Sequence, residues 1–227
     1  MARRKRSAAS ADSRRSGPSG KRRPVGLRII GGLFRGRRLS YSGQWSVRPM
    51  KDRLREAVFD LLGQAVEGKQ AIDLFAGTGA LGLEALSRGA AKALFIEQHH
   101  PTAAVLRQNI AALGVQSQAD VFVGNAFLIA RWQGRLGAYP WLVFCSPPYA
   151  YYVERAAAMQ ELLHRLWQCA PATSVFVVEA DERFNPQLLP EPQAWDMRRY
   201  RPAIVALGEK HSAPVAPALS VTGLRPA

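Results

Sequence analysis

Five short apolar runs recur along the chain, at residues 71–75, 92–96, 119–123, 141–145 and 173–179. Stretches with helical spacing separate them, at about 79–88, 101–113, 125–133 and 151–169. Runs this short have the length of strands, and connections this long are crossovers rather than hairpins. Strands joined by helices lie parallel, so the pattern predicts an α/β fold: a mostly parallel sheet flanked by helices. In such open sheets the binding crevice lies beyond the carboxyl ends of the strands. Polar residues at those ends should therefore converge although they are distant in sequence. They are Asp73, Glu97, Asn125 and Ser146, after the first four runs in turn.

The first run leads into Asp73-Leu74-Phe75-Ala76-Gly77-Thr78-Gly79-Ala80-Leu81-Gly82, a strand, a tight loop and a helix start. Glycines at 77 and 79 allow close approach of a ligand to the backbone, because no Cβ intervenes. The first helical turn then offers unpaired N–H groups. Gly77 to Gly82 matches G-x-G-x-x-G, a weak signal for dinucleotide binding when it stands alone. Asp73 opposes that reading, since a carboxylate there would repel a pyrophosphate. Glu97, closing a buried-looking strand, can accept both hydroxyls of a ribose. Asn125 can read an adenine edge or cap a helix, and the two roles can coexist.

The fourth run ends in Ser146-Pro147-Pro148-Tyr149. Two prolines fix φ and remove two N–H donors, leaving a stiff segment with free carbonyls. An exocyclic amine needs such acceptors, which draw its nitrogen out of conjugation and free the lone pair for attack. Tyr149 can stack on a base once it is unstacked from its neighbours. Asp-x-Phe-x-Gly-x-Gly followed by Ser-Pro-Pro-Tyr resembles the S-adenosylmethionine-dependent methyltransferases that modify exocyclic amines of nucleobases. The resemblance implies that Asp73 faces the cationic end of the cofactor.

Charge is uneven along the chain. Residues 1–27 carry a net +8, residues 28–60 a net +5 and residues 61–227 a net +1, out of +14 in all. A positive field confined to the front suggests a polyanionic partner, nucleic acid being the commonest. Residues 1–26 are Arg-, Ser- and Gly-rich with almost no large apolar groups, and read as a disordered basic tail. Their lack of an apolar core argues against a secretory signal. Residues 27–39 mix arginines with Ile, Leu and Phe around glycines, as a basic hairpin or curled ribbon would. Asp52 then caps a helix whose Leu54, Val58, Leu61 and Leu62 share one face. These two elements form an N-terminal unit, 27–62, before the main domain at 63–210. Residues 195–200 and 203–207 are expected to pair as an antiparallel edge, and 211–227 to fray. No apolar run approaches the roughly 20 residues of a membrane helix. Two cysteines without a C-x-x-C pair argue against a disulfide framework or zinc site. A reducing cytoplasm fits best, with Cys145 and Cys169 as small buried hydrophobes.

Arg28-Ile29-Ile30-Gly31-Gly32, Arg35-Gly36-Arg37, Arg48-Pro49, Asp52-Arg53-Leu54-Arg55-Glu56 and the glycine loop through Leu83-Glu84-Ala85 occur in one order. Together they resemble the RsmD-type enzymes, which methylate N2 of a guanine in 16S ribosomal RNA, and the likeness covers about residues 27–209. It implies a class I, Rossmann-like methyltransferase fold with a small basic N-terminal β element. It further implies S-adenosylmethionine as donor and a 30S particle as substrate; a sulfonium is already an activated donor, so no metal is expected, and a monomer is expected. Asp73, Phe75, Ala76, Gly77, Gly79, Glu97, Asn125 and Ala126 would hold the cofactor. Ser146, Pro147, Pro148 and Tyr149 would hold the flipped guanine, and Arg28, Arg35, Arg37, Arg38, Arg48 and Arg53 the RNA phosphates. Three positions depart from the family pattern: Ser146 in place of Asp or Asn, Met50 in place of Thr, and Arg201-Pro202 in place of a glycine. Ser146 matters most, because a neutral hydroxyl is a weaker acceptor and Ser146→Asp is expected to speed transfer. Ser-Pro-Pro-Tyr also resembles DNA cytosine-N4 (or adenine-N6) methyltransferases, but no sizeable target-recognition region accompanies it. A non-catalytic rRNA-binding assembly factor is the other alternative.

Overall fold

In a computed structural model the chain is described at residues 26–41, 50 and 52–211. Arg48 and nearly all of both expected tails lie outside the described residues. The order of elements is α1 (Asp52–Leu62), β1 (Gln70–Asp73), α2 (Ala80–Ser87), β2 (Lys92–Glu97), α3 (His100–Leu113) and β3 (Ala119–Val123). There follow β4 (Trp141–Cys145), α4 (Tyr151–Glu154), α5 (Ala156–Cys169), β5 (Val175–Asp181), β6 (Trp195–Tyr200) and β7 (Ala203–Glu209). One seven-stranded sheet has the order β3-β2-β1-β4-β5-β7-β6. Its first five strands are parallel, as the alternation requires. β7 inserts antiparallel beside β5, leaving β6 at the edge, so the expected antiparallel pair forms and only one member is exposed. A cis Arg201–Pro202 peptide makes the reversal between them, where a glycine is expected.

Period-2 alternation sorts the strand side chains into two cores. Ala71, Ala93, Phe95, Leu142, Phe144, Val175 and Val177 face α1, α2 and α3. Ile72, Leu94, Ile96, Val143, Cys145, Phe176 and Val178 face α5 and the loop after β3. The Phe59 ring of α1 meets Phe144 at 5.7 Å on one face, and Trp167 of α5 meets Phe176 at 5.1 Å on the other.

Two expected helices differ. The stretch after β3 forms only short 3-10 turns at Ile129–Arg131 and Gln133–Arg135. The Asn125 side chain accepts the Phe127 N–H at 3.0 Å as a cap would, but the Leu128 N–H closes an i→i+3 turn on the Asn125 carbonyl at 3.1 Å. Buried Trp132 then pins the loop by donating its indole N–H to the Ala126 carbonyl at 3.0 Å. The expected helix at 151–169 breaks at Arg155, which leaves helical φ and ψ between α4 and α5.

The basic ribbon is held by an antiparallel bridge between Arg28 and Arg38. It is also fastened to α2. Glu84, fully buried, accepts the Ile30 N–H and the Gly31 N–H at 2.7 Å each and pairs with Arg88 at 2.8 Å. Ser87 accepts the Phe34 N–H and donates to the Gly31 carbonyl. Arg55 of α1 is buried as well; it donates to the Arg28 carbonyl and the Asp52 carboxylate. Its Nε lies 3.8 Å from Glu84, within Coulombic range but beyond hydrogen-bond reach. The buried face of α1 is therefore Arg55, Val58, Phe59 and Leu62, whereas Leu61, expected on that face, is exposed. Cys169 is likewise exposed rather than buried, because it ends α5; Cys145 is buried as expected.

Candidate active site

Alternation along the strands also builds the site. Ala71, Phe95, Phe144 and Val177 belong to the core beneath α1–α3. Asp73, Glu97, Ser146 and Glu179 each stand two residues further on, so they emerge on that same side at the carboxyl edge. Cys145 pairs with Val178, and the next step brings Ser146 beside Glu179. Sequence reasoning reaches the first three and misses Glu179. The signal was present: Val175-Phe176-Val177-Val178-Glu179 is an apolar run ending in an acid, the pattern that singles out Glu97.

These strand ends border one cavity of about 900 Å³, within the usual size range of ligand sites. Phe75, Gly77, Glu97, Asn125 and Ala126 line one part of it, and Ser146, Pro147, Pro148, Tyr149 and Glu179 another. Met50 and Arg53 come from the N-terminal unit, and Tyr200, Arg201 and Pro202 from the β6–β7 turn. Asp73, Ala76 and Gly79 lie behind the wall.

Gly77 and Gly79 have φ of 54° and 89°, in the left-handed region that favours glycine, and Gly79 starts α2. The Gly77 N–H donates to one Glu97 oxygen at 2.8 Å and the His99 N–H to the other at 2.7 Å. Each oxygen keeps a lone pair for a further donor. Asp73 is buried under the loop. One oxygen accepts the Gly82 N–H at 3.2 Å, and the other, Oδ1, has no hydrogen-bond partner. Burial pushes its carboxyl up to about 7, against the lowering effect of the Gly82 N–H. Phe75, Phe127 and Tyr151 form a triangle of rings 6.0–6.2 Å apart. Arg155 lies over the Tyr151 ring at 4.6 Å and over Phe127 at 5.9 Å. Phe127 and Tyr151 were not legible as site residues, since aromatic residues in loops and short helices usually signal packing.

At the other end the Ser146 hydroxyl donates to one oxygen of Glu179, and the Tyr149 hydroxyl donates to the other at 2.7 Å. The Ser146 hydroxyl, expected to act directly on a base, is thus committed to a carboxylate, and the Tyr149 hydroxyl is held by the same group while its ring is the part expected to stack. The Pro148 carbonyl is taken by the Tyr151 N–H at 2.9 Å, so not every carbonyl of the segment is free. On the ribbon, the side chains of Arg28, Arg35, Arg37 and Arg38 are exposed, as is Arg53 on α1. Arg28 pairs loosely with Asp52, and Arg37 donates to the Ala112 carbonyl at the end of α3.

A parallel five-stranded core extended by an antiparallel β7 and edge β6, with a glycine loop after β1, defines a class I S-adenosylmethionine-dependent methyltransferase. Residues 27–205 match the family model described as Conserved hypothetical protein 95. The chain is 33% identical over 177 residues to Ribosomal RNA small subunit methyltransferase D of Escherichia coli K12, covering 78% of this chain and 85% of that protein. It belongs to that family. Among solved structures, a putative methyltransferase from Escherichia coli superposes with a TM-score of 0.64 at 30% identity, over 82% of this chain and 98% of that one. A hypothetical protein from Thermus thermophilus gives 0.66 at 29% identity, over 81% and 99%. Among the described residues, no helix is long and apolar enough to cross a membrane.

Proposed function

We propose that this enzyme transfers a methyl group from S-adenosylmethionine to the exocyclic N2 of a guanine in 16S ribosomal RNA, within a 30S particle. The observation that carries the reading is the shared cavity. It joins the glycine loop and Glu97 to the Ser146–Tyr149 segment, with room for a nucleoside cofactor beside a flipped base. The names of the family's small-subunit rRNA methyltransferases support the choice of RNA.

The residues present suit the cofactor. Asp73 Oδ1 is a buried acceptor lacking a partner, complementary to a positive group held just across the loop. The Glu97 carboxylate, fixed by two N–H donors, has lone pairs left for ribose hydroxyls. The Asn125 amide and Ala126 border the same part of the cavity, where an adenine edge would lie, and the Phe75 ring offers an apolar face. When bound, the cofactor supplies a methyl group already activated on a sulfonium. The chain's task is then to bring the amine up, hold its N–H groups and keep water out. Pro147, Pro148 and Tyr149 form the stiff rim that does so, and the ribbon arginines hold phosphates without reading sequence.

Labelled S-adenosylmethionine incubated with 30S particles lacking the modification and, in parallel, with unmethylated DNA, followed by nucleoside analysis, tests this. N2-methylguanosine is the expected product. Methylated cytosine or adenine in DNA would transfer the enzyme to the other amino-methyltransferase class. Cofactor binding without transfer to either nucleic acid would point to an assembly factor.

A further inference from the structure

Glu179 is a buried carboxylate on the cavity wall whose described partners are the hydroxyls of Ser146 and Tyr149. Among the described residues no Lys, Arg or His forms an ion pair with it. One hydroxyl on each oxygen fixes the plane of the carboxylate and leaves one lone pair per oxygen. The Glu179 carboxylate therefore presents two adjacent acceptors, on the same cavity wall as the prolines that would bracket an amine.

We propose that Glu179 reads the target base, its two oxygens accepting the N1–H and one N2–H of guanine, a role that rests on the guanine-N2 reading above. The chemistry is selective. In guanine the exocyclic amine adjoins a ring N–H, so two donors point the same way at the spacing of a carboxylate. In adenine and cytosine the amine adjoins an unprotonated ring nitrogen, which would set a lone pair against a carboxylate oxygen. One side chain thus accepts guanine and rejects the two bases that other amino-methyltransferases modify. It also relocates the role expected of position 146. The acidic acceptor that Ser146 cannot provide comes from the neighbouring strand, and Ser146 positions it. Tyr149 holds the second oxygen, so its hydroxyl and its ring can both serve one bound base.

The test uses 30S particles reconstituted with 16S RNA carrying either guanine or 2-aminopurine at the nucleotide found to be modified. 2-Aminopurine keeps the C2 amine but has an acceptor at N1. The natural protein should prefer guanine by roughly 100-fold in kcat/KM, since a buried acceptor would face a lone pair. Glu179→Gln presents one acceptor and one donor, matching 2-aminopurine. Its preference should shift toward that base by at least about 10-fold, with S-adenosylmethionine affinity by calorimetry unchanged. A fall in rate equal for both bases overturns the assignment, because a purely structural residue would behave so. Equal use of both bases by the natural protein overturns it without any variant. If the natural protein forms no N2-methylguanosine, the guanine-N2 reading fails and takes this assignment with it. N2-methylguanosine together with an unmoved base preference sinks the assignment alone.

Discussion

Burial raises the carboxyl of Asp73 from an ordinary 3.8 to about 7, and the Gly82 N–H pulls the other way. Between those two values the folded chain keeps a proton that the unfolded chain has lost. Stability of the cofactor-free protein should therefore fall as pH rises from about 4 to about 7, and remain lowered above it. Asp73→Asn mimics the protonated carboxyl and removes this slope. Urea denaturation should find the variant close to the natural protein below about pH 4, where the carboxyl is protonated in both states, and more stable by a few kcal/mol at pH 8. A variant no more stable at pH 8 would mean that Asp73 carries no burial penalty. Ser146 is the second residue whose surroundings alter its reading. Taken alone, a serine in place of an acid is a weakened acceptor, and Ser146→Asp would speed the reaction. With Glu179 accepting its hydroxyl proton, the same substitution sets two carboxylates against each other, and one must protonate or turn away. Single-turnover methylation by Ser146→Asp should be slower by about 10-fold or more, a loss of at least roughly 1.4 kcal/mol in the transition state. A faster variant would restore the simpler view.

At the scale of elements, the sheet was legible because its five parallel strands are apolar runs with polar ends, and period and length alone distinguish them from helices. The loop after β3 was not, because Ala126 to Arg135 has helical composition while buried Trp132 ties the turns together through a contact that no local pattern records. The same reason hid the fastening of the ribbon. Arg55 looks like one more phosphate-facing charge, yet it is buried, since the ribbon folds back over α1 and α2. Glu84 looks like a surface helix acid, yet it holds two ribbon N–H groups and lies among two arginines. Glu84→Gln keeps the shape but places an N–H₂ group against N–H donors and leaves Arg55 without a buried countercharge. Removing one partner of a buried pair costs about 3–5 kcal/mol. A loss of that size in urea denaturation is expected, with protease cutting of the ribbon faster than in the natural protein. A loss under about 1 kcal/mol would show that solvent reaches the cluster, as it does in surface pairs.

The whole molecule separates its two tasks along the chain. Residues 61–227, with every strand of the sheet, carry a net +1, while residues 28–60 carry +5. Ribbon and α1 are packed on α2, and α1 contributes Arg53 to the cavity wall, so the basic surface runs up to the opening of the site. Such an arrangement lets phosphate contacts set the register of the RNA while the cavity selects the base. Each phosphate neutralised releases counterions, so log affinity falls with log salt by about 0.7 per contact on single strands and about 0.9 on duplex. Arg35 and Arg38 are the best test positions, because both are exposed whereas Arg37 is tied to the end of α3. Replacing both with alanine should make the salt dependence of 30S binding shallower by about 1.4–1.8 and leave S-adenosylmethionine affinity unaltered. Filter binding across a salt series reads the slope directly. A slope unchanged by the double substitution would mean that the ribbon does not touch phosphate. The positive front of the chain would then have to act through residues other than these two.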